Sequence, residues 1–121
     1  MDNNESRTVY YDKRHVDIVT SGFDAISEIL SGSDLIEKES LLLCLDKYLD
    51  PWYGYNLPYA EAIFEALQYV VISPNSIYIK EDALHLLTAY SWPPFLILEN
   101  NLDKVESTLL PDVNYAINMD L

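Results

Sequence analysis

The chain has little positive charge, and this deficit sets the first limits on its function. Its 121 residues include seven lysines and arginines against twenty aspartates and glutamates, a formal net charge of −13 at pH 7. A field of that sign repels nucleic-acid phosphates and anionic membranes, whereas it attracts a basic partner and speeds its association. We therefore expect a basic protein domain as partner, with no nucleic acid and no membrane. A soluble acidic surface with no special partner is the alternative.

Cysteine is scarce as well, since Cys44 is the only one in the chain. A single cysteine excludes an internal disulfide and fits a reducing compartment. No apolar run is long enough to cross a bilayer, and the first residues lack the charged-then-apolar pattern of a secretory signal. These features predict a cytoplasmic protein.

Patterns that would carry catalysis or hold a cofactor are also missing. Neither His15 nor His85 has a second histidine or a cysteine at the spacing of zinc ligands. Three glycines are too few for a phosphate-binding loop, and no serine lies in a nucleophile elbow. The carboxylate pairs Glu61–Glu65 and Glu81–Asp82 lack the apolar surroundings that raise the pKa of a catalytic acid. We expect no catalytic residue, no metal and no cofactor.

Hydrophobic residues with helical spacing are abundant. Between residues 60 and 71, apolar residues recur three and four positions apart, which predicts a helix with one buried face. Pro58 suits the first turn of this helix, and Asp50-Pro51 ends the helix before it. The predicted buried residues are Ala60, Ile63, Phe64, Leu67, Val70 and Val71, with Glu61, Glu65 and Gln68 facing outward.

Similar stripes predict helices over Phe23–Leu30, Asp34–Leu49, Ser76–Tyr90 and from Pro94 to Leu109, with a possible break at Asn100-Asn101. A last short turn extends from Pro111 to Ile117. In the helix from Asp34, the predicted buried residues are Leu35, Leu42, Leu45 and Leu49, with Leu41 and Tyr48 at the margin.

The segment Thr8–Ser21 is undecided. Val9–Tyr11 suits either a short strand or an extended arm, and a helix can begin near Val16.

These elements predict a single all-α domain over residues 1–121, with residues 1–7 disordered because they are polar. Five or six helices joined by short connections fall into three antiparallel pairs: Phe23–Leu30 with Leu35–Leu49, Pro58–Val71 with Ser76–Tyr90, and the helix from Pro94 with the tail. Such pairs build either a short HEAT-like α-solenoid or a compact helical bundle.

Aromatic residues crowd the loop between the second and third predicted helices. Trp52, Tyr53 and Tyr55 lie between Tyr48 and Tyr59, beside a helix whose carboxylates have no basic neighbour between Lys47 and Lys80. The loop is either a helix–helix corner packed with aromatics or a recognition surface, since Tyr and Trp supply rigid contact area with a polar group. The candidate binding residues are Trp52, Tyr53, Tyr55, Glu61, Glu65, Glu81, His85 and Trp92.

Two segments, DPWYGYNLPYAEAIFEAL and EDALHLLTAYSWPPFLILENNLDKV, carry a family resemblance. With the acidic charge and paired helices, the chain from Asp34 to Leu109 resembles HEAT-like immunity proteins of bacterial contact-dependent or polymorphic toxin systems. The resemblance implies a protein that binds and neutralises one cognate toxin, usually a nuclease domain. It implies no catalytic residues.

The resulting hypothesis is a non-enzymatic immunity protein that is a monomer when free. One alternative is an acidic chaperone for a secreted effector, although such a protein would more often dimerise and show strand-like alternation. Another is a scaffold piece of a longer helical-repeat array. An enzyme is the third, although no site for one is evident.

Overall fold

The computed structural model describes residues 9–119, and every regular element in that range is helical. The all-α prediction is confirmed, whereas the disorder expected for residues 1–7 lies outside the described residues. The α-helices are α1 (Lys13–Thr20), α2 (Asp24–Ser31), α3 (Leu35–Leu49), α4 (Ala60–Ile72), α5 (Ile77–Tyr90), α6 (Leu96–Glu99) and α7 (Leu110–Ile117). Turns of 3₁₀ helix occupy Pro51–Tyr53, Leu102–Lys104 and Ser107–Leu109.

Side-chain caps place several helix starts. The Asp34 carboxylate accepts the N–H of Glu37 at 3.1 Å, and the Ser76 hydroxyl accepts the N–H of Ile79 at 3.3 Å. At α1, Asp12 accepts N–H groups from the first turn, and His15 Nδ1 accepts the N–H of Asp12 at 3.2 Å. These reciprocal bonds satisfy amides that have no partner within the helix, so the undecided segment becomes a helix after an extended start.

The helices stack in pairs. Helices α2 and α3, α4 and α5, and α6 and α7 each pack together, which are the three predicted pairs. Helix α4 also contacts α2 and α6, while α5 contacts α3 and α7. The result is two rows, α2–α4–α6 and α3–α5–α7, with α1 against α2 and α3.

One apolar core runs between the rows. Its buried residues extend along the chain from Val19 to Ala116 and include Leu67, Leu87 and Phe95. Burial of such side chains is the main favourable term in folding. Within residues 9–119, no helix combines the length and the apolar character needed to cross a membrane.

The predicted buried face of α3 was partly wrong. Leu35 is 45% exposed, whereas Leu41 and Tyr48, expected at the margin, are buried. Leu41 and Tyr48 are buried because α1, α2 and α5 all pack on α3, whereas Leu35 is the first residue of the helix and lies at its exposed end. A helix covered on several sides buries polar positions too, and Lys38 is one of them.

The helix predicted from Pro94 to Leu109 is interrupted. Helix α6 ends at Glu99, and the Asn101 side chain donates to the Ile97 carbonyl at 2.8 Å, as a competing local bond. The possible break at Asn100-Asn101 is therefore real. The interrupted segment contributes α6 and two 3₁₀ turns, so α1 is the element that brings the described residues to seven α-helices rather than five or six.

Candidate functional site

Hydrogen bonds to backbone N–H groups hold the aromatic loop, residues 50–59, and not all of its rings are buried. The Asp50 carboxylate accepts the N–H of Trp52 at 2.9 Å, and Gly54 closes the turn with a φ of 71° that favours glycine. Trp52 is 86% exposed and Tyr53 is 52% exposed. These two rings therefore lie on the surface, as the recognition interpretation requires.

A ring stack joins this loop to α3. The ring of Tyr55 lies 4.1 Å from that of buried Tyr48, with 30° between their planes, and 6.3 Å from that of Tyr53. The Lys47 ammonium lies 5.5 Å from the centroid of Tyr53, within cation–π range. Burial, and next the Tyr55 hydroxyl, raises the pKa of Tyr48. Of the two interpretations of the loop, the packed helix–helix corner fits Tyr48, which is buried. Its stack with Tyr55 connects the exposed rings to α3.

Tyr59 fixes the other end of the loop. Its hydroxyl donates to the Val19 carbonyl at 2.6 Å and accepts the N–H of Gly22 at 3.2 Å. Both bonds reach the end of α1, so the start of α4 is tied to the N-terminal part of the fold. A buried tyrosine hydroxyl commonly finds such partners.

Three of the predicted binding residues meet in one groove between α4 and residues 91–97, hereafter the α4–α6 groove. Glu61 and Glu65 line it from α4, and Trp92 lines it from the opposite wall. Its volume is about 380 Å³. Trp92 is 67% exposed and neighbouring Leu96 is 58% exposed. Carboxylates, an indole face and an aliphatic side chain are therefore presented together.

Gln68 forms the base of this groove, and its predicted outward position was wrong. It is 8% exposed, because its Oε1 accepts the N–H groups of Ile97 at 3.0 Å and Leu98 at 3.3 Å. These are first-turn amides of α6, which have no carbonyl partner within the helix. Gln68 thus joins α6 to α4.

Glu81 and His85 lie elsewhere, in a groove between α5 and α7 with Asp112 and Tyr115. This α5–α7 groove has a volume of about 330 Å³ and shares no lining residue with the α4–α6 groove. The eight candidate residues are therefore distributed over three places: the aromatic loop, the α4–α6 groove and the α5–α7 groove.

Within residues 9–119, no lysine or arginine lines either groove. Lys80, which the sequence places near these acids, is 6% exposed, and its Nζ lies 2.9 Å from Glu106 Oε1. Among residues 9–119, the carboxylates of Glu61, Glu65 and Glu81 have no ion-pair partner. These acids are thus available to cations from outside the described chain.

The other polar clusters have structural explanations. His15, 5% exposed, joins α1 to α3 through Glu37 Oε1 at 2.7 Å, and Arg14 binds Glu37 Oε2 at 2.7 Å. The hydrogen bond from His15 is the main cause that lowers the pKa of Glu37. Burial raises the pKa of Cys44 to about 11, which disfavours a reactive thiolate. No group of three or more His, Cys, Asp or Glu residues in the described range is arranged to hold a metal ion.

Sequence reasoning missed several lining residues. Leu96 falls outside the predicted apolar stripe of its helix, and this position could have indicated from the sequence that its side chain is exposed. Asp112 and Tyr115 join the α5–α7 groove only because α7 returns onto α5. No local pattern identifies these two.

No protein-family model, curated protein or solved structure matches this chain. The resemblance to immunity proteins consequently stays a prediction carried by the two sequence segments. Arguments about function depend on the surface itself.

Proposed function

We propose that this protein is an immunity protein that binds and neutralises a basic toxin domain, and that a nuclease is the most suitable class of toxin. It acts as a monomer in the cytoplasm and catalyses no reaction. The observation that carries the proposal is the α4–α6 groove, where Glu61 and Glu65 have no described counter-ion and face Trp92.

The chemistry of this groove suits a basic side chain. An arginine that stacks on the Trp92 indole can donate to a carboxylate at the same time, because its planar guanidinium serves both contacts. Trp and Arg dominate the binding energy of protein interfaces, especially where water is excluded. A groove with both an indole and carboxylates therefore fits the catalytic cleft, or an adjacent surface, of a nuclease.

Inhibition would follow from charge mimicry. A nuclease cleft collects lysine and arginine to hold phosphates. The carboxylates of this chain occupy the same positions as those phosphates, and the net charge of −13 speeds the encounter. The exposed Trp52 and Tyr53 add rigid contact area near the start of α4.

We expect the gene immediately upstream to encode a large secreted protein with a basic C-terminal domain, and the test uses that domain. Co-expression with the native chain should protect cells from that domain. Purified binding should weaken as salt rises, because the association is steered by charge. Replacing both glutamates, Glu61→Lys with Glu65→Lys, should weaken binding by about 1–5 kcal/mol and reduce protection.

A matched control is available on α2. Asp24→Lys with Glu28→Lys changes the net charge equally, and both pairs are exposed, four residues apart and begin in the first helical turn. If the control pair weakens binding as much as the α4 pair, the effect is one of overall charge and this groove is not the contact. If the native chain neither binds the domain nor protects, the immunity function is wrong.

A further inference from the structure

A second depression lies on the other side of α4, between α2, α4 and the turn that leads to α5. Ser31 of α2, Tyr69 of α4 and Asn75 of the turn contribute to its lining. Its volume is about 480 Å³, within the range of small-molecule sites. We refer to it as the Lys38 pocket.

Lys38 enters this pocket from α3 and is 4% exposed. Its Nζ donates to Asn75 Oδ1 at 2.5 Å, and Asn75 is held in turn by a bond from Nδ2 to the Val70 carbonyl at 3.0 Å. Asn75 is neutral, and within residues 9–119 no carboxylate reaches the Lys38 ammonium. Burial lowers the pKa of Lys38. A buried ammonium that lacks a counter-ion is costly, and an anion would offset the cost.

The distribution of acids supports an anion at this place. The chain has twenty aspartates and glutamates, yet none lines the Lys38 pocket among the described residues. Four other surface depressions each contain at least two carboxylates. Among these five depressions of residues 9–119, the one that has no acid in its lining contains a buried lysine.

The other residues that line the Lys38 pocket indicate which chemical groups the ligand has besides its charge. Leu30, Ala66 and Val70 supply apolar surface, and the Ser27 and Ser73 hydroxyls have no described hydrogen-bond partner. The C-terminal ends of α2 and α4 border the pocket, and their partial negative charge favours a cation such as the ammonium and disfavours a dianion more than a monoanion. One positive charge beside apolar surface matches a singly charged organic anion better than a dianion such as phosphate.

We propose that the Lys38 pocket binds a small organic carboxylate, with the carboxylate on Lys38 Nζ and an apolar body against α2 and α4. This site is separate from the α4–α6 groove and does not depend on the immunity function.

The test uses benzoate as probe and the amide signals of Gly32 and Ser73 in two-dimensional NMR as readout. Benzoate should shift these signals saturably, whereas benzyl alcohol, the uncharged analogue, and inorganic phosphate should not. Lys38→Met should weaken benzoate binding about tenfold or more, the value of one charge-assisted hydrogen bond. Replacing a buried charge by an apolar side chain of similar length is usually tolerated, and circular dichroism verifies the fold.

Lys104→Met is the matched control, because it removes the same charge from an exposed position. It should leave benzoate binding unchanged. Equal binding of benzyl alcohol would overturn the proposal in favour of a merely apolar pocket, and this comparison needs no variant. Equal or tighter phosphate binding, or benzoate binding that survives Lys38→Met, would also overturn it.

Discussion

The two sides of α4 differ in the sign of their charge although they belong to one helix. On the side of α6, Glu61 and Glu65 project beside Trp92, and no described base approaches them. On the side of α2, the depression contains no acid and holds the buried ammonium of Lys38. The first side suits a cation from a partner, and the second suits a small anion.

Helix α4 supplies the two acids, and the rest of this difference comes from its neighbours. Lys38 belongs to α3, and its partner Asn75 belongs to the turn after α4. The opposite groove depends on residues 91–97, which the Gln68 side chain holds in place. The chemistry on each side of this helix therefore depends on the neighbouring elements as well as on α4, and the two sides can be perturbed separately.

The largest expected effect comes from removing the core residue that both sides share. Leu67 is fully buried on α4, so Leu67→Ala should lower the free energy of unfolding by about 2–5 kcal/mol. Both the α4–α6 groove and the Lys38 pocket should loosen together. Urea denaturation measures the loss, and Ile36→Ala, at a position 77% exposed, should change it by only about 0.5 kcal/mol or less. Similar losses for the two variants would contradict the packing described.

Replacing Trp52 tests whether the proposed binding surface of the α4–α6 groove extends to the aromatic loop. Because Trp52 is 86% exposed, Trp52→Ala should change stability by about 0.5 kcal/mol or less. If the loop belongs to the proposed interface, affinity for the toxin domain should fall by about 2 kcal/mol or more. Calorimetric titration and urea denaturation separate the two quantities. Lost stability with unchanged affinity would make the loop purely structural.

Replacing Gln68 should loosen the α4–α6 groove and leave the Lys38 pocket unchanged. Gln68→Leu leaves the N–H groups of Ile97 and Leu98 without an acceptor, which should cost about 1–3 kcal/mol. Hydrogen exchange should accelerate in α6 while the amides around Asn75 stay protected. Gln68→Glu retains an acceptor oxygen and should restore protection. Equal acceleration on both sides of α4 would contradict the separation.

Replacing Lys38 by Met should produce the smallest change in stability, and this change should depend on pH. Because burial lowers the folded-state pKa of Lys38 below 10.5, the unfolded chain binds more protons between the folded pKa and 10.5. Stability relative to Lys38→Met should therefore rise as pH increases through this window, where the penalty for the buried charge disappears. Urea denaturation of both proteins across alkaline pH measures the difference. A difference that falls with rising pH would mean that the ammonium is stabilised rather than penalised.

Much of the fold followed from local patterns. The stripe of α4 correctly identified Ile63, Phe64, Leu67, Val70 and Val71 as buried, because a helix buried on one side repeats its apolar residues with the helical period. The predicted starts at Asp34 and Ser76 lie within one residue of the observed starts of α3 and α5, where these two side chains cap the helices.

The candidate site was only partly predictable. Glu61, Glu65 and Trp92 do line one groove, whereas Glu81 and His85 line another. Periodicity correctly placed Glu61, Glu65, Glu81 and His85 outside, but it does not state which outward faces adjoin. Gln68 was misplaced for a related reason, since a polar residue is assigned to the surface unless its hydrogen-bond partners are known.

The sequence by itself determined the all-α class, helices α2 to α5, the pairing of consecutive helices, the excess of acid and the absence of an internal disulfide, because these depend on residue type and on spacing within a few turns. Tertiary structure alone decided the environment of Lys38, the burial of Gln68 and the division of the predicted surface. Lys38 meets Asn75 across 37 positions, and Gln68 meets Ile97 across 29. Contacts at such separations depend on how the helix rows stack, and the same local periodicity is compatible with many stackings.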